Sequence, residues 1–559
     1  MGHFEYTWWK EAVGYQIYPK SFYDGNGDGH GDLVGIIEKL PYLHELGIDF
    51  LWICPFFKSP MDDNGYDVSD YREVNACFGT TADAIALIDE ARKYDIKIIV
   101  DLVLNHTSDE HPWFVDVRNN KDSKYRDYYI IRDCCPEGKE PNNWGSFFGG
   151  SAWEKLNDEE YYLKIFSKKM PDLNWANPEL RKELYDIASW WMDVGVDGFR
   201  IDAIAHIAKD DSFENSTKQD ELPFVSDWSK FSNLKEVHHY LREFHDQVLK
   251  PHNAFAIGEV GGKAKVEDVL QYCGYDNDEL DVTFTFDHVW CNNIDEAQTI
   301  DELKTDVLYL KETLEHWQVS LFGKAWYPLY WNNHDFNRLV SNYGSYKYHR
   351  QSATALATLM YCMWGTPFIY QGEEIGMTNY PFTSIEEFDD VQAIGQYYAK
   401  PEKERAKFLK ELILSSRDNV RTVMQWDDTS NAGFSTSDKI VSLLNPNYKK
   451  INVKNQIDDS SSILNYYKKL IQLKKTNHTF IYGTITFEDV IQDQAIAYYR
   501  YDKESCYYVI VNLDERDIEV TLPAFEEVFL TNADYNSKDE KITLHAYDTY
   551  VLKLKMNIE

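Results

Sequence analysis

The sequence holds no apolar run near the roughly 18 residues that a membrane helix needs, which excludes a helical membrane protein. Basic residues are scarce against acidic ones: 57 Lys and Arg face 93 Asp and Glu, a formal net charge of -36. So acidic a chain repels phosphate backbones and anionic lipid, so no nucleic acid and no membrane are expected as partners. Cysteine is sparse too. Cys54, Cys77, Cys134, Cys135, Cys273, Cys291, Cys362 and Cys506 form neither a CxxC pair nor a zinc-like spacing with histidine, so reduced, mostly buried thiols are expected. The opening MGHFEYTWWKEAVGYQIYPK lacks the basic-then-apolar order of a secretory signal, which predicts a cytoplasmic protein. What is present is 43% hydrophobic and 15% aromatic residues in 559, enough for a sizeable core and incompatible with disorder of the bulk. This length predicts one large unit with one or two smaller ones, as a monomer or weak homo-oligomer acting on a small neutral molecule.

Apolar strand-like runs alternate with amphipathic helical runs over most of the chain. The strand-like runs are GYQIYP from Gly14, IDFLWICP from Ile48, IKIIVDLVLN from Ile96, VDGFRIDA from Val196, AFAIGEV from Ala254, LDVTFTFDH, AWYPLYWNNHD and GTPFIYQG. Helices are predicted between them, two of them around 304–316 and 352–362. Eight buried, unbroken strands of this kind predict the α/β class, a parallel sheet closed into a (β/α)8 TIM barrel with its active site at the C-terminal strand ends. The barrel is assigned to 1–106 and 178–480. The stretch 107–177 is too long, and too rich in Asn, Gly, Trp and charge, for an ordinary βα loop, and is assigned to an inserted subdomain B. Short alternating strands (IYGTITFEDV, AIAYYRYD, CYYVIVNLD, TYVLKLK) assign 481–559 to a C-terminal antiparallel β-sandwich.

Carboxylates collect at four of the strand ends. In Gly198-Phe199-Arg200-Ile201-Asp202, residues two apart share a strand face, so Arg200 projects beside Asp202 and its guanidinium favours the ionised carboxylate that a nucleophile needs. Glu259 ends the apolar run Ile257-Gly258-Glu259, surroundings that raise a carboxyl pKa and suit a proton donor. His334 and Asp335 end the seventh strand, and Asp101 to His106 end the third. An ordinary ion pair or loop anchor would explain any one of these alone. Four on one rim of one barrel fit glycoside cleavage, where a donor acid and an ionised carboxylate flank the bond. Separately, Asp24-Gly25-Asn26-Gly27-Asp28-Gly29-His30-Gly31-Asp32 sets oxygen ligands at alternate positions with glycines between, the logic of a calcium loop. Its ligands would be Asp24, Asn26, Asp28, Asp32 and the His30 carbonyl.

DLVLNH, GFRIDA, GEV and NNHD resemble the four sequence regions of the α-amylase superfamily, glycoside hydrolase family 13, along essentially the whole chain. SFYDGNGDGHGDL, DDNGYDVSDY, FSKKMPDLNW, YQGEEIGM and SRDNVRTVMQWDD further resemble its oligo-1,6-glucosidases and bacterial α-glucosidases. The resemblance implies a retaining, exo-acting α-glucosidase taking terminal glucose from short α-glucosides such as maltose and isomaltose. Asp202 is implied as nucleophile, Glu259 as general acid and then base, and Asp335 as the third carboxylate, which binds sugar hydroxyls. Arg200, His106 and His334 match residues around the terminal glucose, Asp63 and Tyr66 a pair that holds or stacks on it, and Arg421 the basic partner that closes the pocket with Asp63. Phe166 is counted with the substrate-binding residues. A structural Ca²⁺ or Mg²⁺ is implied at the Asp24–Asp32 loop, and no organic cofactor.

Departures from the family pattern bear on substrate. Ala203 stands directly after the nucleophile, where Val goes with α-1,6 and Thr with α-1,4 preference; it predicts tolerance of both, with a lean to α-1,4. Gly261 widens the space for the leaving sugar, while Met170 and Lys164 replace glutamine and histidine near the entrance. A sucrose isomerase or transglucosidase would use the same triad, but FDHVWCNNIDEAQ lacks the RLDRD-like loop of such isomerases. A trehalose-6-phosphate hydrolase differs from this chain at FSKKMPDLNW. Transporter-associated relatives carry a membrane helix and lack the carboxylates.

Overall fold

The computed structural model describes residues 2–218, 223–261, 264–489, 493–533 and 540–555. The strands of its main sheet are β1 Gly14–Ile17, β2 Phe50–Ile53, β3 Lys97–Val103, β4 Gly198–Asp202, β5 Phe255–Glu259, β6 Val282–Phe284, β7 Pro328–Leu329 and β8 Thr366–Tyr370. They pair in parallel in the order β6-β5-β4-β3-β2-β1-β8-β7, and β6 lies beside β7, which closes the (β/α)8 barrel. Both faces are covered, so β1, β2 and β8 are buried at every position, and this gives the unbroken apolar runs.

The outer ring is α1 Leu33–Leu46, α2 Thr81–Arg92, α3 Pro178–Val194, α4 Lys235–Phe244, α5 Val266–Cys273, α6 Val307–Leu321, α7 His349–Tyr361 and α8 Ile463–Thr476. In α3, Asn177 caps the amides of Glu179 and Leu180, Pro178 opens the first turn, and Leu180, Leu184, Ile187 and Trp191 form the buried stripe. Helix α8 packs on both α7 and α1, completing the ring. The helices predicted around 304–316 and 352–362 are α6 and α7, each displaced by a few residues, and the seventh strand is shorter than its apolar run.

Three segments depart from plain alternation. Between β3 and α3, the antiparallel strands Ile131–Asp133, Trp153–Lys155 and Glu160–Leu163 pack on Trp144, Ile165 and Phe231. The connection from β8 to α8 carries helices Val391–Ala399 and Glu402–Ser415, which the sequence pattern did not suggest. At the C-terminal end, β9 Thr484–Glu488, β10 Ala495–Tyr501, β11 Cys506–Asn512, β12 Phe525–Thr531 and β13 Thr549–Leu554 form an antiparallel sheet in the order β9-β10-β11-β13-β12. Ala495, Ala497 and Ile510 on one of its faces meet Ile518 and Leu544 of a two-stranded ribbon, while Ile496, Tyr498 and Val509 join the barrel core. No helix among the described residues is long and apolar enough to cross a membrane.

Candidate active site

Strand register sets the charged floor of the barrel mouth. Asp101 of β3 is the cross-strand partner of Arg200 on β4, and Ile257 of β5 is its partner on the other side. Arg200 is fully buried, and its Nη1 donates to both Asp101 oxygens at 2.9 and 3.0 Å and to Asp202 Oδ1 at 2.8 Å. Its Nη2 forms an ion pair with Glu259. Arg200 and Asp202 thus share a strand face, as their spacing required. Asp101 also accepts from Trp52 Nε1 and the Tyr66 hydroxyl, each at 3.0 Å, so it works as the guanidinium's anchor and was not foreseen in that role.

Asp335 has a separate basic set. Arg421 Nη2 donates to Asp335 Oδ1 at 3.0 Å, and Arg421 Nε to the His334 carbonyl at 3.1 Å. The basic partner of Asp63 is Arg417, at 3.0 Å, where the resemblance had implied Arg421. Both arginines follow helix Glu402–Ser415; the chain enters there so that Arg417 reaches Asp63 while Arg421 faces the seventh strand end. Asp390, itself buried, accepts from Arg417 Nε at 3.1 Å and pairs with its Nη2. A hydrogen-bond chain fixes the His334 ring. Gln16 Nε2 donates to Nδ1 at 2.8 Å, which leaves Nε2–H to donate to the Tyr66 oxygen at 2.6 Å, while the Tyr66 hydroxyl donates to Asp101. Tyr66 lies nearly parallel to that ring, 5.2 Å centroid to centroid.

These groups surround a cavity of about 260 Å³. That is small beside the roughly 300–1,000 Å³ of drug-sized sites and suits one sugar ring. Asp63, Tyr66, His106, Phe166, Asp202, Glu259, His334 and Asp335 all line it, and Arg200 underlies it. Arg421 stands behind Asp335 and does not line it. Phe147, Phe148, His206, Trp228, Phe286, Gln392 and Arg417 also line it; sequence reasoning missed them, although Arg417 stood inside SRDNVRTVMQWDD. Ala203, Met170 and Gly261 line the cavity, whereas Lys164 does not. A Cβ on Gly261 would lie 3.1 Å from the Phe286 ring, so Phe286 fills space that a side chain there would claim. The expected widening by Gly261 is therefore partly taken up.

The α-amylase catalytic-domain model matches residues 16–483. The chain belongs to the α-amylase family. As a family member it is 44% identical over 569 residues to an oligo-1,6-glucosidase of Parageobacillus thermoglucosidasius, covering 99% of this chain and all of the relative. It is 41% identical to the trehalose-6-phosphate hydrolase of Bacillus subtilis, over 98% of each chain. It superposes on the isomaltulose synthase of Protaminobacter rubrum with a TM-score of 0.92 at 38% identity, covering 99% of this chain and all of that one. This α-amylase-family member is a glycoside hydrolase.

Burial sets the family site's proton inventory. It pushes Asp202 well up, against the pull of Arg200, and the Glu259 charge pushes it further. Burial raises Glu259 too, again against Arg200, with help from Asp335. The guanidinium alone therefore does not keep Asp202 ionised, as its spacing had suggested; burial and the neighbouring carboxyl push both groups up, and the two titrate as one coupled pair. Burial lowers His334 to about 3, leaving it neutral. Burial would raise Asp335, but it is held well below the usual range, and with His334 neutral the cause is Arg417, Arg421 and Arg200.

In the Asp24–Asp32 loop, Asp24 accepts from the amides of Gly27 and Gly29 at 2.6 and 2.7 Å, and Asp32 from those of Gly25, Asn26 and Gly35. No group of three His, Cys, Asp or Glu side chains among the described residues is arranged to hold a metal. The donor chemistry nonetheless fits a hard cation. Asp24 and Asp32 are buried, neither forms a salt bridge among the described residues, and burial together with the Asp24 charge raises Asp32. With Asn26, Asp28 and the His30 carbonyl the loop offers oxygen alone.

Proposed function

We propose that this protein is a retaining exo-α-glucosidase that removes terminal non-reducing glucose from short, neutral α-glucosides in the cytoplasm. The observation that carries this is Arg200 clasping Asp202 and Glu259 through its two terminal nitrogens, on the floor of a one-ring cavity whose far side is shut by the Asp63–Arg417 pair. Two carboxylates on one guanidinium are close together, which favours direct attack over an intervening water. Glu259 gives its proton to the glycosidic oxygen as the bond to the anomeric carbon breaks, and the Asp202 carboxylate attacks that carbon to form a glucosyl ester. Glu259, now ionised, takes a proton from water; the oxygen attacks from the opposite side, releasing glucose and freeing Asp202. Asp335, kept ionised, accepts from sugar hydroxyls, and the neutral His106 and His334 hydrogen-bond without adding charge.

The names of the relatives favour α-1,6 bonds and weigh against the lean to α-1,4 drawn from Ala203, so isomaltose is the first substrate to try. Proton NMR of the opening turnovers tests the reaction: α-glucose must appear first, because two displacements restore configuration. Initial β-glucose would exclude the mechanism. A panel of isomaltose, maltose, sucrose and trehalose 6-phosphate separates hydrolase, isomerase and phosphosugar readings by their products.

Ca²⁺ or Mg²⁺ in the Asp24–Asp32 loop belongs to the same proposal, as an ion that orders the first βα loop and takes no part in bond cleavage. Chelation should lower Tm in the intact enzyme and leave Asp28→Ala unmoved, because a metal held only by the folded state stabilises it by mass action. Equal chelator sensitivity in both would remove the ion from this loop.

A further inference from the structure

One side-chain amide stands between a buried ion pair and a histidine of the cavity wall. Asn105 and His106 follow the end of β3, Lys209 lies in the loop after β4, and Asp172 forms a backbone bridge with His106. Lys209 and Asp172 pair at 2.9 Å with side chains only 3% and 0% exposed, and neither takes part in the chemistry above. The Lys209 ammonium also donates to Asn105 Oδ1 at 2.9 Å and to the His206 carbonyl. Asp172 Oδ2 accepts from Asn105 Nδ2 at 3.4 Å, and its Oδ1 accepts from the Ile165 amide at 3.1 Å. An ammonium cannot accept and a carboxylate cannot donate, so the pair reads both ends of the Asn105 amide and leaves it one orientation.

That orientation carries into the cavity. Asn105 Nδ2 also reaches His106 Nδ1 at 3.1 Å, and because it can only donate, Nδ1 must accept. Nε2 lies 3.2 Å from the Tyr66 carbonyl, which can only accept, so Nε2 carries the proton. A second proton, on Nδ1, would need the amide reversed, its nitrogen turned onto the ammonium and its oxygen onto the carboxylate. Two repulsions would replace two attractions. Burial lowers His106 to about 3 and acts in the same sense. Around the ring stand Lys209 and Asp172 behind it, the Tyr71 hydroxyl on its carbonyl, and Asp63, Asp202 and Glu259 across the cavity that it lines. An imidazolium on that wall would oppose the positive charge that builds on the sugar ring as the glycosidic bond breaks.

We propose that Lys209 and Asp172 are positioning residues that hold His106 in its neutral Nε2–H form by fixing which way the Asn105 amide faces. The kinetic consequence rests on the α-glucosidase reading above; the state of the ring does not.

The test uses the full chain labelled with 15N-histidine. In the wild type the His106 ring, assigned by its loss in His106→Gln, should show the Nε2–H pattern of nitrogen shifts and keep it from pH 8 down to pH 4. Lys209→Met/Asp172→Asn removes both charges and leaves no buried ion unpaired, while Asn105→Ala keeps the ion pair and removes only the amide. In either variant the His106 signals should move toward imidazolium at the acid end of that range. The acid limb of kcat/KM on an aryl α-glucoside should rise by about one pH unit, a tenfold change in proton affinity. In a His106→Gln background the same substitutions should leave that limb where it was. A wild-type ring that carries its proton on Nδ1 or titrates within the range overturns the proposal, as does a ring that both variants leave unchanged. So does a shift of the limb that persists without His106, which would mark the pair as structural. A wild type that cleaves no α-glucoside would sink the reading beneath the kinetic arm, and the spectra would still decide the proposal.

Discussion

Ala203 allows one worked prediction that joins strain to selectivity. It follows the end of β4 at φ 48°, ψ 30°, in the left-handed region, is nearly buried, and directs its amide toward Glu259 Oε2 at 3.3 Å. The left-handed turn is what lets the chain swing off the strand while that amide faces the acid. An L-residue there costs about 1–2 kcal/mol, and a branched Cβ costs more. Ala203→Gly removes most of that strain but loosens the unfolded chain by about 0.4–1 kcal/mol, so its stability should stay within about 1 kcal/mol of wild type. Ala203→Val and Ala203→Thr should each lose about 1–2 kcal/mol, read as a lower denaturant midpoint. Because Ala203 lines the cavity, the same variants should also shift the isomaltose-to-maltose ratio of kcat/KM, upward for Val and downward for Thr. One methyl or hydroxyl discriminates by roughly 10- to 200-fold at most. The ratio cancels any loss of folded enzyme, so the two effects separate cleanly. If Val and Thr leave both midpoint and ratio at wild-type values, neither the strain nor the proximity argument survives.

Asp202→Asn should lower turnover by several orders of magnitude with an unchanged circular dichroism spectrum, since Arg200 stays anchored by Asp101; retained activity would remove Asp202 as nucleophile. Glu259→Gln should harm disaccharides far more than aryl glucosides with good leaving groups, and equal losses would argue against Glu259 as donor. Glu373, pushed up to about 8 by burial, accepts from the Tyr361 and Tyr467 hydroxyls, and its Oε2 has no partner, which suits a carboxyl that keeps its proton. A raised pKa means that the folded state binds the extra proton, so this contribution is present below the unfolded value and is lost progressively as pH rises to about 8. Glu373→Gln should therefore flatten the fall of Tm between pH 5 and pH 8, and an unaltered slope would contradict it.

The barrel was legible because parallel strands covered on both faces leave unbroken apolar runs, and the gathering of Asp202, Glu259 and Asp335 round one cavity because strand ends at one rim put GFRID, GEV and NNHD within reach of one another. Other features leave no mark in local sequence. Arg417 meets Asp63 across a separation of 354 residues and Asp390 across 27, so only the folded chain reveals the triad they form. The helices from Val391 to Ser415 were hidden because they pack on a small core of their own, built from Phe382, Phe388 and Leu412, and not as a repeat of the barrel unit. Asp101 was visible as a strand-end acid, but its role as anchor depends on register, which pairs it with Arg200. The left-handed backbone at Ala203 carries no compositional cue, since glycine or asparagine is the usual signal.

The charge count around the catalytic cavity also governs which molecules can block it. Six carboxyls, those of Asp63, Asp101, Asp202, Glu259, Asp335 and Asp390, share three guanidiniums, those of Arg200, Arg417 and Arg421. Even with one proton held by the Asp202–Glu259 couple, the vestibule is negative before any sugar arrives. A pyranose analogue with a protonated ring nitrogen brings the missing cation and resembles the oxocarbenium charge at the same time, so it should be retained far longer than glucose. An anionic sugar such as a uronic acid meets the opposite field and should be turned away. Selection by charge is thus in place before any hydroxyl is read.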